Sequence, residues 1–400
     1  MTQNNTNWLF ESETIRFLRE NEDKEPESFL LSKALANKGW DTRLLVRQLK
    51  GIKTAKQKFP TFYQNSHIIY PPTVSLEQAS SEVTARFKAS IIKAGKTIDL
   101  SGGMGIDTYF FSLQCKEMIY VEPQQELLEI AAHNFDALEA KHIQPLCATA
   151  AEFLENYKGH SDLIYIDPSR RKEGKRLSNY KDWEPDVIGL KPQFWKAANH
   201  ILIKLSPMTD ISAVCKELGE VKEVFVVSDR NECKEVLLQL EQGFTGEPHV
   251  HAVLLQSGEE RQYSFYASEE QSASPEFRDP LNYLYEPDVA LLKAGVFKKI
   301  GIDYQLKKIQ AHTHLYTSEQ LQESFPGKIF QIESVKPYSK SNVASLIEKG
   351  KDFHVLTRNA TVTTEQVKKQ FKLVERGNRY LIIFKGGNGE SIVVKAVRLK

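Results

Sequence analysis

The chain has 400 residues, 41% of them hydrophobic, and a formal net charge of +1. That length predicts about two to four domains, each able to bury its own core. No apolar run reaches the roughly 18 residues that cross a membrane. Cys115, Cys147, Cys215 and Cys233 are scattered with no C-x-x-C pair, which argues against a zinc site and a disulfide framework. The N-terminal "MTQNNTNWLFESETIRFL" has no basic region followed by an apolar one. The expectation is a cytoplasmic chain with no signal peptide. The charge is uneven. Residues 281–400 carry 20 Lys and Arg against 11 Asp and Glu, a net +9, and the rest of the chain carries a net −8 (33 against 41). A basic C-terminal third suits an anionic partner, or else is a scatter of solvated lysines.

Residues 1–74 read as helical, with "NWLFESETIRFLREN" and "PESFLLSKALANKGWDTRLLVRQLKGIKTAKQKF" showing helix-like apolar spacing. Pro71-Pro72 marks a boundary, and Ser75-x-x-Gln78 carries a capping-box signature for a new helix. From Thr97 to Ser268, short apolar strands alternate with helical stretches. The strands are "TIDL", "MIYVE", "IQPLCA", "LIYID", "ILIKLS", "EVFVVS" and, ending the series, "VHAVLLQ". Such alternation predicts a mostly parallel seven-stranded sheet covered on both faces. Residues 75–268 are therefore taken as one α/β domain. "EEQSASPEFRDP", Glu269 to Pro280, reads as a polar linker. Residues 281–400 follow as a small α+β module, divisible at 326/327. In it "YEPDVALLKAGVFKKIG" reads as helical and "RYLIIFKGGNGESIVVKAVRL" as a hairpin.

Three features concern chemistry. "TIDLSGGMGIDTYFFS" places a glycine turn, with Gly102, Gly103 and Gly105, between the first strand and its helix. Glycines let the backbone approach a ligand, and the helix N-terminus offers free N–H groups. The dinucleotide fingerprint fails because position 108 is Thr108. Asp99 lies in the first strand. Glu122 ends the second, 17 residues after Gly105, and Asp167 ends the fourth. All three acids thus fall at the C-terminal edge of one parallel sheet, where open α/β folds bind ligands. Last, "SDLIYIDPSRRKEGKR" runs from a buried strand into Asp167-Pro168-Ser169 and a burst of cations that includes Arg170 and Arg171. Cations beside an acceptor pocket suit phosphate contacts. A solvated surface turn is the plainer alternative. The ten histidines show no metal-like spacing, so no metal is expected.

With "DLSGGMG", "VEP" and "DPSRR" in these places, the sequence resembles the class I S-adenosylmethionine-dependent methyltransferases. "EQASSEVTARFKA", "YIDPSRR", "IKLSPMTD" and "YEPDVALLKAG" make it similar, over most of its length, to the bacterial family with a C-terminal THUMP-like domain. The resemblance implies a Rossmann-like seven-stranded core, a helical N-terminal region and a THUMP-like, ferredoxin-like C-terminal module. It implies S-adenosylmethionine as cofactor and RNA, either tRNA or rRNA, as partner. Asp99, Ser101, Gly103 and Gly105 would line the methionine end, Asp107 would belong to the same cofactor site, and Glu122 would hold the ribose. Thr149 would approach the adenine, although the segment "PLCATAAEF" departs from the usual third motif. Each has a plainer role available: Asp107 and Thr149 as helix caps, Glu122 as a strand-end charge. Asp167, Pro168 and Ser169 would form the acceptor loop, with Arg170, Arg171 and Lys204 on the substrate side. Lys204 could instead pair with a nearby acid. The usual aromatic after the fourth motif is absent, with Tyr180 or Trp183 as stand-ins or packing residues. The expected reaction is methylation of a base nitrogen in RNA. The alternatives are a small-molecule or protein methyltransferase, and a non-catalytic RNA-binding protein with a degenerate core.

Overall fold

The computed structural model describes residues 7–30, 35, 37–169, 171–172, 175–176, 183–256, 258–347 and 350–399, and the side chains of 170–182 lie outside that description. Two compact units form, residues 1–222 with 236–246, and residues 223–235 with 247–400.

The strands of the larger sheet region are β1 (Lys96–Asp99), β2 (Glu117–Val121), β3 (Ile143–Leu146), β4 (Ser161–Ile166), β7 (Ala198–Leu205), β8 (Val221–Asp229), β9 (Glu232–Glu241), β10 (His249–Gln256) and β11 (Glu259–Tyr266). Between β4 and β7 lies a separate two-residue pair, β5 (Arg171–Lys172) and β6 (Lys175–Arg176). The sheet order is β11-β10-β8-β9-β7-β4-β1-β2-β3. Nine strands, not the expected seven, make this sheet, and it is mixed. β9 runs antiparallel to β7, and β11 antiparallel to β10. The β8–β9 connection turns through Arg230 and Asn231, both at positive φ (49° and 60°). A two-residue turn of that hand suits tight antiparallel hairpins. "ECKEVLLQLE" hides this strand behind helix-friendly Glu, Lys and Leu. The central strands match expectation: Leu163 to Ile166 of β4 and Ile201 to Ile203 of β7 are almost wholly buried. Parallel strands covered on both faces require such runs.

In the first unit, helix Thr42–Lys58 starts at Asp41, whose carboxylate accepts from Arg43 and Leu44 N–H. It buries Leu45, Leu49, Ile52 and Ala55 at three- and four-residue spacing. Asn134, on helix Gln125–Ala137, joins the N-terminal region to the α/β core. Its side chain accepts from Ile69 N (2.8 Å) and donates to Ile69 O (2.9 Å). The Ser75 capping box does not form. Helix Thr73–Gln78 has Pro72 at its N-cap, and the hydroxyl that caps a helix here is Ser81, accepting from Thr84 N ahead of Glu82–Ile91. A short helix after Pro-Pro leaves Ser75 inside its first turn, where its hydroxyl has no orphan N–H in front of it.

In the second unit, the expected linker begins as helix Ala267–Ser272, and the start of the expected helix "YEPDVALL" is a strand. A seven-stranded sheet runs through β12 (Tyr283–Pro287), β13 (Lys307–Gln310), β14 (Thr313–Ser318), β15 (Gly327–Pro337), β16 (His354–Arg358), β17 (Arg379–Lys385) and β18 (Ser391–Arg398), ordered β13-β14-β12-β15-β18-β17-β16. Leu381 and Ile383 of β17 join one apolar cluster, and Ile382 and Phe384 join another. Successive strand residues face opposite sides, so this sheet is buried on both. No described helix is long and apolar enough to cross a membrane.

Candidate active site

The β1–helix connection is built around two left-handed glycines. Gly103 has φ 55° and Gly105 φ 81°, which L side chains rarely adopt. A Cβ on Gly105 would stand 2.6 Å from the Phe135 ring, whereas one on Gly103 would meet nothing nearer than 3.7 Å. Gly105 therefore serves packing as well as backbone. Gly103 serves backbone alone and leaves the outside of the turn open. Tyr120 Oη donates to Gly103 O (2.6 Å), and Glu122 accepts from Gly103 N (2.8 Å) and Gln124 N (2.9 Å). The strand-end acid is thus buried, 5% exposed, and fastens the turn. Its carboxylate retains acceptor capacity for further donors.

Asp99 accepts from Ser101 N (2.9 Å), Ser101 Oγ (3.1 Å) and Thr108 Oγ1 (2.6 Å). Burial pushes its pKa up to about 7 against those hydrogen bonds. Ser101 Oγ also accepts from Asp167 N (2.8 Å), which ties the mouth of β4 to the glycine turn. Asp167 pairs with Lys204 of β7 through a short Nζ–Oδ2 contact. The structural pairing foreseen for Lys204 therefore exists, and it brings Lys204 onto the residue expected to hold the acceptor.

Asp107 does not cap its helix: the N-cap is Gly105, with no side-chain bond. It accepts instead from Ser80 Oγ (2.7 Å) and Tyr165 Oη (2.7 Å), and Lys88 Nζ lies 3.3 Å away. Lys88 is wholly buried. Burial raises the Asp107 pKa, and the Lys88 and Lys204 ammoniums outweigh it, holding the carboxyl below the usual range. Ser80, Lys88, Tyr165 and Tyr120 were not foreseen as parts of this region. The serine and lysine sit in "ASSEVTARFK", where their spacing from Asp107 gives no local signal.

Thr149 is exposed and forms a capping box with Glu152, donating to its carboxylate (2.8 Å) and accepting from its N–H (3.2 Å). Pro168 is buried and Ser169 exposed. Ser169 and Glu184 exchange both backbone hydrogen bonds (2.8 and 3.1 Å), closing the base of the excursion that carries the cations. The backbone of Arg171 lies in β5, opposite Arg176 of β6. Arg170 and Tyr180 lie outside the described residues. Trp183 is 4% exposed, a packing position.

The glycine turn, Glu122 and Asp167 thus share the C-terminal edge of parallel strands. This is the ligand edge of an α/β fold. Residues 283–326 match a ferredoxin-like domain family and residues 327–396 a THUMP domain-like family. A crystal structure of a candidate methyltransferase from Porphyromonas gingivalis W83 superposes with a TM-score of 0.86. It is 30% identical and covers 96% of this chain and 97% of its own. Uncharacterized S-adenosylmethionine-dependent methyltransferases of Mycobacterium tuberculosis, strains CDC 1551 and H37Rv, are 22% identical over 315 residues. That alignment spans 77% of this chain and 82% of theirs. The chain belongs to the class I S-adenosylmethionine-dependent methyltransferases that end in a THUMP-like domain. It is an enzyme whose methyl donor is S-adenosylmethionine. The residues present fit that cofactor, since the turn is open over Gly103 and flanked by a buried acceptor.

Proposed function

We propose that the protein methylates a base nitrogen of RNA, tRNA or rRNA, in the cytoplasm. The observation carrying this reading is the Ser101 hydroxyl. It joins Asp99, at the end of β1, to the backbone of Asp167, so cofactor edge and acceptor loop form one hydrogen-bonded unit. In support, the acceptor loop opens directly into a cationic segment, the C-terminal third is basic, and THUMP-like modules generally accompany RNA-modifying enzymes.

S-adenosylmethionine, when bound, supplies an electrophilic methyl group. Asp99, Ser101, Gly103, Gly105 and Glu122 would hold it, with Glu122 accepting the ribose hydroxyls. Asp107, held by Ser80, Tyr165 and Lys88, would contribute to the cofactor site as a fixed negative charge. Thr149 contributes by setting the start of helix Ala150–Asn156. Asp167 accepts a hydrogen bond from the acceptor amine and is placed to take its proton. Lys204 orients that carboxylate, while Pro168 and Ser169 shape the loop. Such a site works chiefly by positioning. Arg170 and Arg171 contact phosphates. Residues 75–268 act as the catalytic domain, and residues 1–74 and 281–400 as substrate-binding parts.

The test is methyl transfer from radiolabelled S-adenosylmethionine to total RNA of a strain lacking the enzyme. Label that is precipitated with RNA and released by ribonuclease supports the proposal. Label confined to protein or to small molecules overturns it.

A further inference from the structure

Away from the methyl-transfer edge, strand β10 reads "HVHAVLLQ". His249 and His251 are two residues apart and therefore share one face of the sheet. Register places Glu223 of β8 directly opposite His249, and Phe225 opposite His251. The ligating atoms of Glu223, His249 and His251 all lie within 4.8 Å of one another.

Both imidazoles converge on one carboxylate oxygen. His251 Nε2 is 2.7 Å from Glu223 Oε2, and His249 Nδ1 is 3.6 Å from the same atom. An ordinary hydrogen bond accounts for His251. It does not account for His249, whose 3.6 Å separation exceeds hydrogen-bonding range. The two rings stand 4.4 Å apart, so three potential donors are gathered at one point of the sheet. With Zn–N of about 2.0–2.1 Å, donors of a tetrahedral site stand roughly 3.3 Å apart. The 2.7 and 3.6 Å separations differ from that spacing by about 0.3–0.6 Å, and no pair of donors differs from it by more than about 1.5 Å.

The surroundings are those of a held ligand set. His251 stacks on Phe225 (4.7 Å) and His249 on Tyr266 (4.5 Å). His251 Nδ1, the ring nitrogen away from Glu223, lies 2.8 Å from Ser264 Oγ and 2.9 Å from Gln262 Nε2. Donation from Nδ1–H to the Ser264 hydroxyl leaves Nε2 as the lone-pair nitrogen toward Glu223, the orientation of metal-bound histidines, and the Gln262 amide N–H is satisfied by Ser264 Oγ at 3.0 Å. The side chains of Glu223 and His249 remain 22% and 32% exposed, so an ion can reach them.

We propose that Glu223, His249 and His251 form a binding site for a divalent ion of the zinc class, with water in the fourth position, clasping β8 to β10. Two nitrogens and one carboxylate oxygen are a donor set suited to zinc. The site is independent of the RNA reading and would stand if that reading fell.

The experiment uses the full chain, stripped with a chelator and dialysed, titrated with zinc chloride by calorimetry. One tight equivalent is expected. Glu223→Gln and His249→Ala, at partly exposed positions where folding is preserved, should each weaken it at least about 10-fold. Cobalt(II) should give the intense visible bands of a tetrahedral complex with no thiolate charge-transfer band. Absence of binding below millimolar zinc would overturn the proposal. So would unchanged isotherms in both variants, or a thiolate band that assigns the metal to the cysteines.

Discussion

Replacing Glu122 by alanine tests the glycine turn as a built ligand site. The carboxylate accepts from Gly103 N at 2.8 Å and Gln124 N at 2.9 Å, and the proposed ribose contact would use its remaining lone pairs. A hydrogen bond to a charged group is worth about 1.5–3 kcal/mol. If only one such bond is felt in binding, affinity falls about 10- to 150-fold. Alanine also frees Gly103, whose left-handed conformation is then held mainly by the Tyr120 hydroxyl at 2.6 Å. Tyr120→Phe should therefore act in the same direction but more weakly, about 2- to 10-fold, as a neutral hydrogen bond of about 0.5–1.5 kcal/mol predicts. Calorimetric titration with S-adenosylhomocysteine measures both. Wild-type affinity in a folded Glu122→Ala protein would refute the ribose role and the turn-fastening role together.

Asp167→Ala should abolish methyl transfer in single-turnover assays while cofactor affinity stays within a few-fold; near-normal turnover would return Asp167 to a charged turn. Arg170→Ala and Arg171→Ala should instead weaken RNA binding and flatten its salt dependence by about one unit of logarithmic slope per lost phosphate contact. Lys88→Met removes the nearest cation from the buried Asp107 carboxylate and should cost about 3–5 kcal/mol in urea unfolding. Most of that should return in the Lys88→Met/Asp107→Leu double variant, and equal losses in single and double variants would count against the pairing. Asp99 supplies a pH signature. Its folded pKa of about 7 lies above the ordinary 3.8, so between those values the folded state holds the extra proton and stability falls as pH rises. Melting temperatures of Asp99→Asn minus wild type should therefore climb between pH 4 and pH 7; a flat difference would contradict the raised pKa.

The parallel centre of the sheet was legible because runs such as "LIYI" and "ILIKL" have no other stable place than between covered faces. β9 and β12 were not. "ECKEVLLQLE" and "YLYEP" adopt strand through pairing with β7 and with β14 and β15, partners that composition does not reveal. The three edge acids were legible because strand ends in an α/β fold share an edge. Their partners were not: Lys204 reaches Asp167 across 37 residues and Tyr165 reaches Asp107 across 58. The histidine cluster was missed because its third donor, Glu223, lies on another strand and joins the pair only through register.

The central claim is tested most directly by mass spectrometry of modified nucleosides in tRNA and rRNA from a deletion strain. The account predicts that one methylated nucleoside disappears, returns with the wild-type gene, and does not return with Asp167→Ala. An unchanged nucleoside profile in every RNA class would contradict it.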